Sequence, residues 1–140
     1  RLAYLKEALE HEGLDRNIKA AFEQLFQQLK AAGHTVTAVD FPLLTQMVPT
    51  YYVLTTAEAS SNLSRYDGVK FGFAANEVKQ LNDLYIQSRT AGFGKEVKRR
   101  IMLGNFVLSS GYYDAYFSKA QQVRRLLQQQ TRNILASYDA

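Results

Sequence analysis

The sequence predicts an α/β chain that is predominantly helical, with about two strands near its N-terminus. Three observations carry that prediction. Residues 35–39, TVTAV, are β-branched and alternating. Ile18, Ala21, Phe22, Leu25, Phe26 and Leu29 recur at the three- and four-residue intervals of one helix face. After Pro42, every segment reads as helix or turn.

Residues 2–5, LAYL, read as a strand, although the opening RLAYLKEAL is too short to define its own structure. Asp15 is placed to cap the helix that follows, and Gly33 supplies a left-handed stop. With TVTAV as the next strand and Pro42 just behind it, residues 1–41 form a βαβ unit with a right-handed crossover. Two strands alone do not make a stable sheet. The expectation is therefore one partial domain over residues 1–140, in which residues 1–41 are strand, helix, strand and residues 42–140 are mainly helical. Its short sheet is either cut from a larger one or paired with another chain.

The next helix is expected over residues 49–63, with Pro49 near its start. Ala57, Ala59, Ser60 and Ser61 are small enough for another backbone to approach closely. Tyr51, Leu54, Thr55 and Glu58 share one face, and the ordinary fate of such a tyrosine is a core ring with a bonded hydroxyl. SRYDGVKFGF is rich in turn formers, and Asp67 before Gly68 reads as a turn residue accepting backbone N–H groups. Residues 77–90 carry an amphipathic helix through Val78, Leu81, Leu84 and Tyr85. TAGFGKE breaks it. With no GxxxxGK[ST] and no preceding strand, Gly92 and Gly94 mark a linker between helices and no phosphate loop. The segment KEVKRRIMLGNFVLSSGYYDAYFSKAQQVRRLL begins charged, turns apolar and ends amphipathic, the pattern of a helix running from surface into core. Tyr112, Tyr113, Tyr116 and Phe117 fill its following faces, and Val123, Leu126, Leu127 and Ile134 carry the last helix.

Composition excludes several chemistries. At 140 residues, 46% hydrophobic and 21% charged, the chain is sized for one core. It has no cysteine, which removes thiol catalysis, thiolate metal sites and disulfides, and fits a reducing cytoplasm. Its apolar runs fall short of the roughly 20 residues that cross a bilayer, so no membrane partner is expected. No second carboxylate or histidine lies at ligand spacing from Asp67, and His11 and His34 sit near glycines in loops, so no metal site is expected. The net charge of +4 is modest, but Lys95, Lys98, Arg99, Arg100, Lys119, Arg124, Arg125 and Arg132 crowd the second half. Solvated helix faces explain that excess most simply, and an RNA groove is the alternative. Arg100, at the junction of charged and apolar segments, either snorkels to solvent or points its five-donor fork into a cleft that suits a carboxylate.

YYVLTTAEASSNLSRYDGVKFG, GFGKEVKRRIMLG and SSGYYDAYF resemble the A subunits of the aspartyl/glutamyl-tRNA(Asn/Gln) amidotransferases, a branch of the amidase signature family. GLDRNIKAAFEQLFQQLKAAGHTVTAVDFP is similar to its counterpart there, so the resemblance covers essentially the whole chain. It implies a piece of the amidase signature α/β/α fold. It also implies a parent enzyme that hydrolyses glutamine through a Ser-Ser-Lys triad and passes ammonia to a B subunit, with a C subunit completing the assembly. That complex uses ATP and Mg to amidate Glu-tRNA(Gln) or Asp-tRNA(Asn) in the cytoplasm, of a bacterium or else of an organelle. By position, Arg100 resembles the arginine that holds the glutamine α-carboxylate, and Tyr51 the tyrosine beside the substrate amide. Glu58, Asn62, Arg65 and Asp67 belong to the motif, and a structural role pinning the corner after the helix is expected for each. The family's Gly/Ser-rich stretch has no counterpart here, because no GGSSGGS-like run occurs. The expectation is an internal fragment carrying a substrate-pocket wall and no catalytic residue. A fragment of another amidase signature hydrolase, or a helical RNA- or protein-binding module, are the alternatives.

Overall fold

The computed structural model describes residues 1–140. The chain divides into two compact units, Arg1–Val48 with Val123–Ala140, and Pro49–Gln122. The division thus follows neither residue 41 nor any helix end.

In the first unit, strand β1 (Leu2–Leu5) leads directly into a one-turn helix α1 (Lys6–Leu9), followed by helix α2 (Arg16–Ala31) and strand β2 (Val36–Val39). The strands pair in parallel, from Leu2 opposite Val36 to Leu5 opposite Val39, so the expected βαβ unit is present. Asp15 caps α2 by accepting the Asn17 N–H at 2.8 Å and the Ile18 N–H at 3.4 Å. Tyr4 of β1 stacks on Phe26 of α2 with ring centroids 4.4 Å apart, which fixes helix on sheet. Helix α1 was not foreseen, yet it has a purpose. Both oxygens of Glu7 accept the N–H of buried Phe41 at 2.8 Å and so tie the exit of β2 to the end of β1.

The sheet has two strands, as expected. Its other edge is not bare. The Ala3 N–H donates to the Ala140 carbonyl and the Asp139 N–H to the Arg1 carbonyl, each at 2.8 Å, so residues 139–140 lie along β1.

Helix α3 runs Leu44–Leu63, starting five residues before the expected position, with Pro49 inside it. The reason lies in the tight turns ahead of the proline: the Leu44 N–H bonds the Phe41 carbonyl at 2.9 Å and the Gln46 N–H bonds that of Leu43 at 3.0 Å. Helix is already nucleated there, and Pro49, only five residues from its start, withholds one N–H without stopping it.

In the second unit, α3 from Pro49 onward is joined by α4 (Leu81–Gly92), α5 (Lys95–Leu108), a single π turn (Asp114–Ser118) and the start of α6 (Lys119–Leu135). Helix α4 begins four residues later than its periodicity suggested, because Glu77 adopts φ 59° and the backbone is still extended at the N-cap Gln80. The core is the crossing of α3 and α5, where Thr56, Ala57, Ser60, Gly104 and Val107 are buried. At Gly104 a Cβ would collide with the Thr56 carbonyl oxygen and the Ser60 Cβ, so only glycine permits this approach. Ser60 Oγ reinforces it by donating to Asn105 Oδ1 at 2.6 Å. The apolar middle of α5 is not swallowed by core, contrary to expectation. One stripe, Gly104 and Val107, packs inward, while Met102 (73% exposed), Leu103 and Phe106 face out.

Candidate functional site

Three pairs step in the same direction along α3 and α5: Tyr51 with Arg100, Thr56 with Gly104, and Ser60 with Asn105. The close approach at Gly104 thus lies one turn from Arg100 and about as far along α3 from Tyr51, and the two residues singled out in the sequence are near enough to interact electrostatically. Tyr51 is 52% exposed and is no core ring; it stands edge-on to Tyr52, centroids 5.4 Å apart. The Arg100 side chain is 41% exposed. Its Nε donates to Glu96 Oε1 at 3.1 Å, one helical turn earlier, while Arg99 Nη1 donates to Glu96 Oε2 at 2.9 Å. The Glu96 hydrogen bond and charge hold the guanidinium above its ordinary pKa against partial desolvation, and the Tyr51 phenol adds to this. The group is a permanent cation whose Nη edge Glu96 leaves to other acceptors. That edge suits a carboxylate approaching end-on.

The corner after α3 is held chiefly by side chains other than those expected. Asp67 does act as a turn residue: it accepts the Val69 N–H at 2.8 Å and the Lys70 N–H at 3.2 Å, which pulls its pKa below the usual carboxylate value. Glu58, Asn62 and Arg65, for which the same pinning role was expected, are exposed. Arg89 of α4 does the pinning instead, with Nη1 donating to the carbonyls of Leu63 and Tyr66 at 3.0 Å each while the guanidinium lies 5.0 Å from the Phe93 ring. Buried Ser88 accepts the Ala75 N–H at 2.9 Å. It also excludes any side chain at Gly68, whose φ is 84°. Lys98 donates to the Thr90 carbonyl at 2.8 Å and so secures the end of α4.

Sequence reasoning thus missed Glu96, Ser88 and Arg89. Glu96 was visible in principle, since Glu at i with Arg at i+3 and i+4 is a helical ion-pair spacing. Arg89 reaches partners 23 and 26 residues away, and no local pattern announces that.

The chain matches the family described as Amidase along residues 1–140. It belongs to the amidase family. Among curated relatives, this amidase-family chain is 54% identical over 129 residues to the A subunit of glutamyl-tRNA(Gln) amidotransferase from Acidobacterium capsulatum, covering 92% of the chain and 27% of that protein. It is 48% identical over 139 residues to the protein of the same description in Limosilactobacillus reuteri, covering 99% and 28%. Against that of Clostridium botulinum (strain Okra) it is 45% identical over 129 residues, covering 92% and 27%. The chain therefore spans just over a quarter of the length of these relatives. The motif carrying Tyr51, Glu58, Asn62, Arg65 and Asp67 and that carrying Arg100 both lie in the second unit.

Proposed function

We propose that this chain forms a wall of the glutamine pocket in the A subunit of a tRNA-dependent amidotransferase. The observation that carries the proposal is Arg100, anchored by Nε on Glu96 and set beside the Tyr51 phenol at the α3–α5 crossing. Arg100 binds the α-carboxylate of glutamine through its Nη groups, and Tyr51 lies beside the side-chain amide. Fixing one end of a zwitterionic amino acid brings the other to its nucleophile in an attack geometry. That nucleophile is a serine from the parent's Ser-Ser-Lys triad, which has no counterpart in residues 1–140. Its Oγ attacks the amide carbon, ammonia leaves, and water hydrolyses the acyl-serine to glutamate.

The ammonia then serves the B subunit, with the C subunit completing the assembly, to convert Glu-tRNA(Gln) or Asp-tRNA(Asn) in the cytoplasm. The close similarity to relatives named as the A subunit of glutamyl-tRNA(Gln) amidotransferase supports this assignment. ATP and Mg belong to other parts of the complex. Residues 1–140 contain no group of three or more His, Cys, Asp or Glu side chains that could hold a metal ion. No helix is long and apolar enough to cross a membrane.

Substrate discrimination tests the pocket assignment. The complete subunit is expected to release ammonia from glutamine in strong preference to glutamine α-amide, which lacks the carboxylate. Arg100→Ala is expected to erase that preference. Equal preference before and after the substitution refutes the assignment.

A further inference from the structure

We propose that Glu96 is a positioning residue that decides which edge of the Arg100 guanidinium is offered to substrate; this rests on Arg100 being the carboxylate donor. An arginine binds a carboxylate either end-on, through Nη1 and Nη2, or side-on, through Nε and one Nη. Glu96 occupies Nε at 3.1 Å and so removes the side-on mode. Left to itself, Glu96 would pair with Arg100 fork on fork and compete with the substrate. Arg99 prevents this by holding the second oxygen, Oε2, at 2.9 Å. Each oxygen of one carboxylate thus serves a different arginine, and the Nη edge of Arg100 stays available.

Stability does not explain the arrangement. The three side chains are 41 to 67% exposed, and ion pairs of that kind contribute little to stability. Orientation is what remains for them to supply. A glutamine at position 96 keeps an oxygen that can accept from Nε, whereas alanine keeps nothing.

The test is glutaminase kinetics of the complete subunit, with melting temperature measured alongside. Glu96→Ala is expected to raise the KM for glutamine about fivefold, roughly 1 kcal/mol at 25 °C. Its kcat and melting temperature should stay near wild type, and Glu96→Gln should restore KM to within about twofold. Arg99→Ala, which frees Oε2 to reach the Nη edge, is expected to raise KM as well, and it supplies the test should Glu96→Ala fold poorly. Glu96→Ala added to Arg100→Ala should raise KM no further. If Arg100→Ala raises KM while the Glu96 and Arg99 variants leave it unchanged, or if the Glu96 effect adds fully to that of Arg100, positioning by Glu96 is overturned and the carboxylate site stands. If Arg100→Ala itself leaves KM unchanged, the carboxylate site falls and Glu96 with it.

Discussion

Gly104→Ala isolates the feature on which the site's geometry depends. Against the collision stands an intrinsic gain, since alanine in a helix interior is favoured over glycine by about 1 kcal/mol. The added methyl would overlap a backbone carbonyl, that of Thr56, and the Ser60 Cβ, and neither is the free end of a flexible side chain. Relief requires α3 and α5 to separate, and overpacking of this kind costs roughly 1–3 kcal/mol, at times more. The collision wins because backbone must move, so a net loss of up to about 2 kcal/mol is expected. The Ser60–Asn105 bond and the Tyr51–Arg100 juxtaposition should loosen with it, because both flank the same crossing. The assay is thermal melting of the complete subunit together with its KM for glutamine. Gly111→Ala is the control, because nothing lies within 4 Å of a Cβ there. Gly104→Ala should lower the melting temperature of the complete subunit by roughly 1–2 °C and raise KM, while Gly111→Ala lowers no melting temperature and leaves KM as it is. A Gly104→Ala protein as stable as wild type, with unaltered KM, would refute the close-crossing reasoning.

Asp67 has a folded-state pKa below its unfolded value of about 3.9. Its contribution is therefore present above that unfolded value and lost as pH falls through the folded pKa. Asp67→Asn should melt below wild type at pH 6, and the two curves should converge below about pH 4; a gap that widens on acidification contradicts the turn assignment. Arg89→Ala removes a charged donor from two carbonyls and a cation over the Phe93 ring, so a loss of about 1–3 kcal/mol is expected in denaturation of the complete subunit; a neutral result would remove Arg89 as the latch of the corner. The isolated 140-residue chain should release no ammonia from glutamine above a buffer control. It should also self-associate in light scattering through apolar side chains such as Met102, Val48 and Leu81, and strictly monomeric behaviour across a concentration series counts against that.

Local signals were legible in the sequence wherever one short stretch contains both cause and effect. The Asp15 cap, helix α2, strand β2 and the Asp67 turn each depend on residues a few positions apart, and each appears where it was expected, although the burial along β2 does not alternate. The small residues of α3 foretold a close neighbour, though not that Gly104 would supply it. Features set by distant partners were not legible. Phe41 receives Glu7 from 34 residues away, Arg89 clamps carbonyls at and just beyond the end of α3, and residues 139–140 line an edge of β1. Pro49 misled because proline usually opens a helix, whereas here the turn at Phe41 and Leu43 had opened it already. At the candidate site, Arg100 and Tyr51 were identified by resemblance, while Glu96, fully readable from its spacing, was passed over because a charged first turn looks like an ordinary solvated face.

The most direct measurement is glutamine binding to the complete subunit by titration calorimetry, wild type against Arg100→Ala. Losing a charge-assisted contact of about 1.5–3 kcal/mol should weaken binding roughly ten- to a hundredfold while the fold is retained. Unchanged affinity in a folded Arg100→Ala protein would contradict the carboxylate site at the α3–α5 crossing.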